Sequence, residues 1–157
     1  MALIRKWSAE SVDLVSLPAV ASELAAVLPA RGAVALQGPM GAGKTTVVAA
    51  LCRAWGMSEP VSSPTFSLVQ SYLPSSEVPG APRKIYHLDL YRLESESELI
   101  DLDLESLMDE DALLLIEWPE RAADIFPADG WLLRIGIEQS DGRSFELLRA
   151  SGEKDQA

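Results

Sequence analysis

Gly38-Pro39-Met40-Gly41-Ala42-Gly43-Lys44-Thr45 fits the pattern GxxxxGK[ST] at every fixed position, and each fixed position has a chemical task. Glycines let backbone amides turn inward around phosphate oxygens without Cβ clashes, and the helix that follows adds positive potential at its N-terminus. Lys44 then reaches the β and γ phosphates, while the Thr45 hydroxyl ligates Mg²⁺. Hydrolysis needs more: a carboxylate on the metal and a group that orients water. Asp89 ends the run Ile85-Tyr86-His87-Leu88 and Glu117 ends Leu113-Leu114-Leu115-Ile116. Spacing does not rank these two acids, and each also reads as a salt-bridged strand end.

Thr65, in Ser63-Pro64-Thr65-Phe66, is a hydroxyl on a loop and reads either as a γ-phosphate sensor or as a plain turn residue. His87, the only histidine, shares a strand face with Asp89. A shared site and a structural role are both open to it, and metal binding by it alone is not expected. Trp118 reads as a cover over nucleotide or partner, or as a packed side chain. Cys52 falls among Val48, Leu51 and Trp55 and reads as core.

These residues need elements to hold them. Ala33-Val34-Ala35-Leu36-Gln37 is a short apolar run ending at Gly38, and a helical stretch runs from Gly43 towards Trp55-Gly56, so the motif sits in a strand, turn, helix context. Upstream, Ser16 before Leu17-Pro18, with Val20, Leu24, Val27 and Leu28 at helical spacing, predicts a capped helix ending near Pro29. Val61 to Tyr72 reads as a loop feeding a strand, and Leu73 to Pro82, with Pro74, Pro79, Gly80 and Pro82, as a surface loop. Lys84 to Leu90 and Ala112 to Glu117 read as strands, the second apolar enough to be buried on both faces. Trp131 to Ile137 and Arg143 to Leu148 flank Asp141-Gly142, a strong hairpin signal.

With 157 residues, 48% hydrophobic and 24% charged, the chain reads as one globular domain over 1–157, with 151–157 a frayed, disordered tail. No window approaches the roughly 18 apolar residues of a membrane span. Glu10 and Asp13 stand where a secretory signal needs its apolar run, so a soluble, cytoplasmic protein with no membrane partner is expected. A single cysteine excludes an intrachain disulfide and a Cys-rich zinc site. The net charge is −11, and nine of the 24 acids lie between Glu94 and Asp111 without one Lys or Arg. Such a surface repels phosphate backbones, so autonomous binding to DNA or RNA is not expected. The acidic run reads as a solvated helix face or as a docking surface for a basic partner.

Four stretches in this order, GPMGAGKTT (38–46), SSPTFSLV (62–69), YHLDLYRL (86–93) and LLIEWPE (114–120), resemble the bacterial TsaE family of tRNA threonylcarbamoyladenosine biosynthesis, small P-loop ATPases. The resemblance spans Ser16 to Gly142. It implies an α/β, P-loop NTPase-like fold, a mostly parallel sheet flanked by helices with an antiparallel C-terminal hairpin. It also implies work with the TsaB and TsaD proteins. TsaD performs the transfer to the adenosine beside the anticodon, and the present chain would bind and hydrolyse ATP, releasing ADP, to reset that complex. Contact with tRNA would be indirect, through the complex, and none with DNA is implied. Carried over by position, Gly38, Met40, Gly41, Ala42, Gly43, Lys44, Thr45, Thr46, Thr65 and Trp118 would contact nucleotide. Thr45, Glu117 and Asp89 would serve the Mg²⁺ and hydrolysis site, with Asp89, Glu117 and Lys44 as the catalytic set. The turn before the first helix and the Gly142-Arg143 hairpin tip are the segments expected at the adenine. Pro39-Met40 stand where the family usually has Asp-Leu, a departure that bears on partner contacts, and Ser63 stands where a basic residue is often seen.

Two other functions fit a P-loop: a non-hydrolysing, ATP-dependent interaction switch, and a small-molecule kinase, which would need an acceptor pocket and an arginine-bearing lid. A GTPase reading guanine through Asn-Lys-x-Asp is excluded on motif grounds, because the sequence has no asparagine. The motif itself yields a test: Lys44→Ala is expected to abolish ATP binding, and unchanged affinity in calorimetry removes Lys44 from the site.

Overall fold

The computed structural model describes residues 2–57, 60–61, 68–75, 78–121, 127 and 129–150. Thr65 and the Ser63-Pro64-Thr65-Phe66 loop lie outside the described residues, as do the tail 151–157 and Ser63 itself. The elements, in chain order, are β1 (Leu3–Val12), α1 (Leu17–Val27), β2 (Gly32–Gln37), α2 (Lys44–Ala54), β3 (Val69–Tyr72) and β4 (Ile85–Asp89). They continue as α3 (Glu96–Leu102), α4 (Leu104–Met108), β5 (Leu113–Glu117), β6 (Trp131–Ile137) and β7 (Arg143–Ala150). Seven strands form a mixed sheet in the order β1-β7-β6-β2-β5-β4-β3. The central block β6, β2, β5 and β4 is parallel, and the outer pairings of β3 on β4, β7 on β6 and β1 on β7 are antiparallel. The mostly parallel sheet of the sequence reading therefore describes the centre, and the C-terminal hairpin forms as expected across the Asp141-Gly142 turn.

Burial explains why β5 is an unbroken apolar run. On one face Leu113 and Leu115, with Val34, Leu36 and Ile85, pack into a core shared with Leu24 of α1 and with Val48 and Leu51 of α2. On the other, Leu114 and Ile116 join Ala33, Tyr86 and Leu88 in a second core with Leu104 of α4. A strand covered on both faces has no solvent side to mark with polar residues. Cys52 lies within the first core, where burial pushes its thiol up to about 12, so it packs as a protonated small hydrophobe.

Two local features depart from the sequence reading. β1 was not legible as a strand: it is an edge strand, largely exposed, with register shifts between Arg5 and Trp7 and between Ala9 and Val12 that break its alternation. The start of α1 is held by Asp13 and not by a Ser16 cap. The Ser16 amide donates to Asp13 Oδ1 at 2.8 Å, and Leu17 N–H to the Asp13 carbonyl at 2.9 Å. The Ser16 hydroxyl instead accepts from Asp13 N at 3.0 Å. These Ser16 donors hold the exposed Asp13 carboxyl below the ordinary Asp range.

The acidic stretch folds as α3 and α4, and part of its charge is answered locally. Glu110 accepts from the Tyr86 hydroxyl at 2.8 Å and Asp111 meets Arg83 at 3.4 Å. Among the described residues, no helix is long and apolar enough to cross a membrane.

Candidate functional site: a glycine-rich loop at the carboxyl ends of the parallel strands

The parallel block sets the site, because strands running the same way end on the same side. β2 ends at Gln37 and leads through the glycine-rich loop into α2; β5 and β4 end beside it in Glu117 and Asp89, paired in register. The loop needs its glycines at two places above all. A Cβ on Gly38 would lie 2.7 Å from the Ile135 carbonyl, so the loop can hug β6 only with glycine there. Gly43 caps α2 with φ +93°, a left-handed conformation that a side chain disfavours. Val47 N–H then closes the first helical turn on the Gly43 carbonyl at 2.9 Å.

Lys44 is buried, and its ammonium donates to the Gly38 carbonyl at 2.7 Å while lying 4.1 Å from the Trp118 ring centre. That is a cation held between a carbonyl and an aromatic face. Trp118 reaches it through backbone strain: its φ is +58°, a conformation costing a bulky residue on the order of 1 kcal/mol. Tyr91 packs against Trp118 with ring centres 5.0 Å apart and planes tilted by 40°, and the Arg121 guanidinium lies 5.9 Å from the Tyr91 ring. Sequence reasoning singled out neither Tyr91 nor Arg121: Tyr91 lies within the stretch YHLDLYRL without a chemical role being readable from its type, and Arg121 follows the stretch LLIEWPE.

The two acids differ in placement. Glu117 is 3% exposed, and its Oε2 accepts from the Thr45 hydroxyl at 3.0 Å and meets His87 Nε2 at 2.6 Å. The Nδ1 of the fully buried His87 has no hydrogen-bond partner among the described residues. Asp89 sits one strand further out and uses Oδ1 to accept from Tyr91 N–H at 3.1 Å, capping the short 3₁₀ turn Leu90–Arg92. His87 does share the strand face with Asp89, yet its short bond goes across the strands to Glu117.

A cleft of about 560 Å³ opens beside the loop. One wall is the segment Val12–Val15 before α1; the others are Gly41–Gly43, Thr46 and the Asp141–Arg143 end of the hairpin with Phe145. Both segments expected at the adenine therefore border one cavity, and Met40 stands 64% exposed in the loop. The donor set also decides what metal would fit. A threonine hydroxyl and one or two carboxylates suit Mg²⁺, which keeps waters and takes ligand phosphates. Among the described residues no group of three or more His, Cys, Asp or Glu could form a protein cage for another metal.

A glycine-rich loop joining a central parallel strand to a helix, with carboxylates at the neighbouring strand ends, defines a P-loop NTPase-like protein. The family model described as Threonylcarbamoyl adenosine biosynthesis protein TsaE matches residues 12–145, and the chain belongs to the TsaE family. A curated protein of Haemophilus influenzae named tRNA threonylcarbamoyladenosine biosynthesis protein TsaE is 36% identical over 113 residues, covering 72% of this chain and 67% of the relative. Proteins of the same name from Nostoc sp. and Bacillus subtilis are 39% identical over 102 residues and 32% identical over 142 residues. The first match covers 62% of this chain and 59% of the relative, the second 90% and 82%. The crystal structure of YdiB from Bacillus subtilis has the same fold, with a TM-score of 0.76 at 21% identity, covering 99% of this chain and 92% of that one.

The His87 contact with Glu117 is testable without any ligand. Breaking a hydrogen bond to a buried carboxylate costs about 2 kcal/mol, and partners in contact couple by roughly 0.5–3 kcal/mol. A double-mutant cycle of His87→Ala and Glu117→Ala in urea denaturation is expected to show coupling in that range; additivity would separate the two side chains.

Proposed function

We propose that this chain binds ATP with Mg²⁺ and hydrolyses it to ADP as the ATPase component of tRNA threonylcarbamoyladenosine biosynthesis, acting on a complex of TsaB and TsaD proteins in the cytoplasm. The observation that carries the reading is the 3.0 Å bond between the Thr45 hydroxyl and Glu117. It places the loop hydroxyl and a strand-end carboxylate on one spot, as a phosphate-bound Mg²⁺ requires. Family membership and the names of the curated relatives support the biosynthetic role.

In this reading Gly38 to Gly43 offer backbone amides to the phosphates, and the N-terminus of α2 adds its positive end. Lys44 exchanges carbonyl partners for β and γ oxygens. Thr45 and Glu117 would hold a Mg²⁺, which would supply neutralisation of the charge on the transferred phosphoryl group. Asp89, at the next strand end, orients the attacking water, and Trp118 shields the site. The apolar side chains of Val12, Leu17 and Phe145 suit a planar base, with Thr46 on the same cavity. Thr65 contributes as a sensor of the γ-phosphate.

The decisive measurement is ATP hydrolysis by the purified protein, alone and with the TsaB and TsaD proteins of the same organism. Turnover stimulated by the partners and lost in Asp89→Ala is the expected result. Tight ATP binding without turnover in any combination would leave a nucleotide-dependent switch in its place. For the metal site, Glu117→Ala is expected to remove most of the gain in nucleotide affinity that Mg²⁺ confers on the parent; identical Mg²⁺ titrations would exclude Glu117 as a ligand.

A further inference from the structure

The β6–β7 hairpin is remote in sequence from the phosphate-binding motif, yet its tip is bonded to both walls of the cleft. Arg143 Nε donates to the Ala42 carbonyl at 3.1 Å and one terminal nitrogen donates to the Gly41 carbonyl at 3.2 Å. The other terminal nitrogen donates to the Asp141 carbonyl at 2.6 Å, which ties the guanidinium to its own turn. At the opposite end of the turn, both oxygens of Glu138 accept from the Ser11 amide, at 3.1 and 3.2 Å. Ser11 has φ +54° and immediately precedes the Val12–Val15 wall. The turn between them is closed by Glu138 N–H on the Gly142 carbonyl at 2.9 Å and Asp141 N–H on the Glu138 carbonyl at 3.0 Å.

We propose that the hairpin tip is a two-sided clamp in which Arg143 is a positioning residue for the phosphate loop and Glu138 one for the base-side wall. The first half follows from peptide geometry. In a trans peptide the C=O and N–H point in opposite directions, and every described peptide is trans. With its carbonyl held on Arg143, the Ala42–Gly43 peptide turns the Gly43 amide away from the hairpin, fixing the direction of one loop donor before any ligand arrives. Arginine suits the task because a planar fork spans two adjacent carbonyls, which a lysine ammonium does not do in one fixed geometry. The second half follows from the Ser11 bond: a carboxylate accepting with both oxygens pins the left-handed residue from which the Val12–Val15 wall departs. Donors fixed in advance raise affinity by removing ordering costs from the binding step.

The inference rests on the ATP-binding reading, and the test separates the two. Binding of ATP and of inorganic tripolyphosphate, which has no base, is measured by calorimetry for the parent, Arg143→Ala, Arg143→Lys and Glu138→Ala, with a thermal melt of each. Loss of the pre-set direction of one or two loop donors is expected to lower affinity about tenfold for both ligands in Arg143→Ala, with Arg143→Lys between it and the parent. Glu138→Ala is expected to weaken ATP severalfold and leave tripolyphosphate unchanged, a split that general loosening of the fold would not give. If Arg143→Ala shows no cooperative melt, Arg143→Lys carries the comparison, and parent-like affinities in it overturn the clamp. So does an Arg143 variant that loses ATP but keeps tripolyphosphate, which would make Arg143 a contact of the nucleoside. A parent that binds neither ligand overturns the ATP-binding reading itself.

Discussion

Glu117 is a carboxylate almost wholly withdrawn from water, and such a group persists only where neighbours answer its charge. The strand order supplies them. β5 lies between β2 and β4, so the helix that follows β2 brings the Thr45 hydroxyl from one side and β4 brings His87 from the other. Both reach the same oxygen, Oε2. A one-residue slip of β5 would turn Glu117 into the opposite core, towards Leu104 and Leu88 and away from Thr45 and His87. The register of the parallel block and the chemistry of the loop are therefore one constraint.

What the sequence made legible follows from how local each signal is. The P-loop is contiguous, the β5 run is apolar because both of its faces are covered, and the Asp141-Gly142 turn announces its hairpin; all three are found where the residues predict them. Spacing was silent on Glu117 against Asp89, because their difference lies in strand order: one ends next to β2 and the other a strand further away. His87 is paired by alternation with Asp89, whereas its bond crosses between strands, a relation that no periodicity along one strand encodes. β1 escaped for the converse reason. An exposed, twice-bulged edge has neither the burial nor the alternation on which strand recognition depends.

Lys44 and Trp118 show how the site holds charge in reserve. The ammonium is buried against the Gly38 carbonyl and the indole face, partners weaker than phosphate oxygens. A ligand with phosphates can take it over without having to strip a carboxylate from it. The left-handed backbone at Trp118 serves that arrangement, since a continued strand conformation after Glu117 would carry the indole away from the loop.

The overall charge of −11 opposes a polyanionic ligand, and the layering of the fold sets part of that charge apart from the loop. Four of the nine acids between Glu94 and Asp111 belong to α3 and α4, which pack on the core of Leu114 and Ile116, while the loop opens into α2 on the other face of the sheet. The groups nearest the loop carry both signs: Lys44, Arg143 and the N-terminus of α2, set against Glu117, Asp89, Asp13 and Asp141. Local field, and not net charge, decides whether phosphates are attracted.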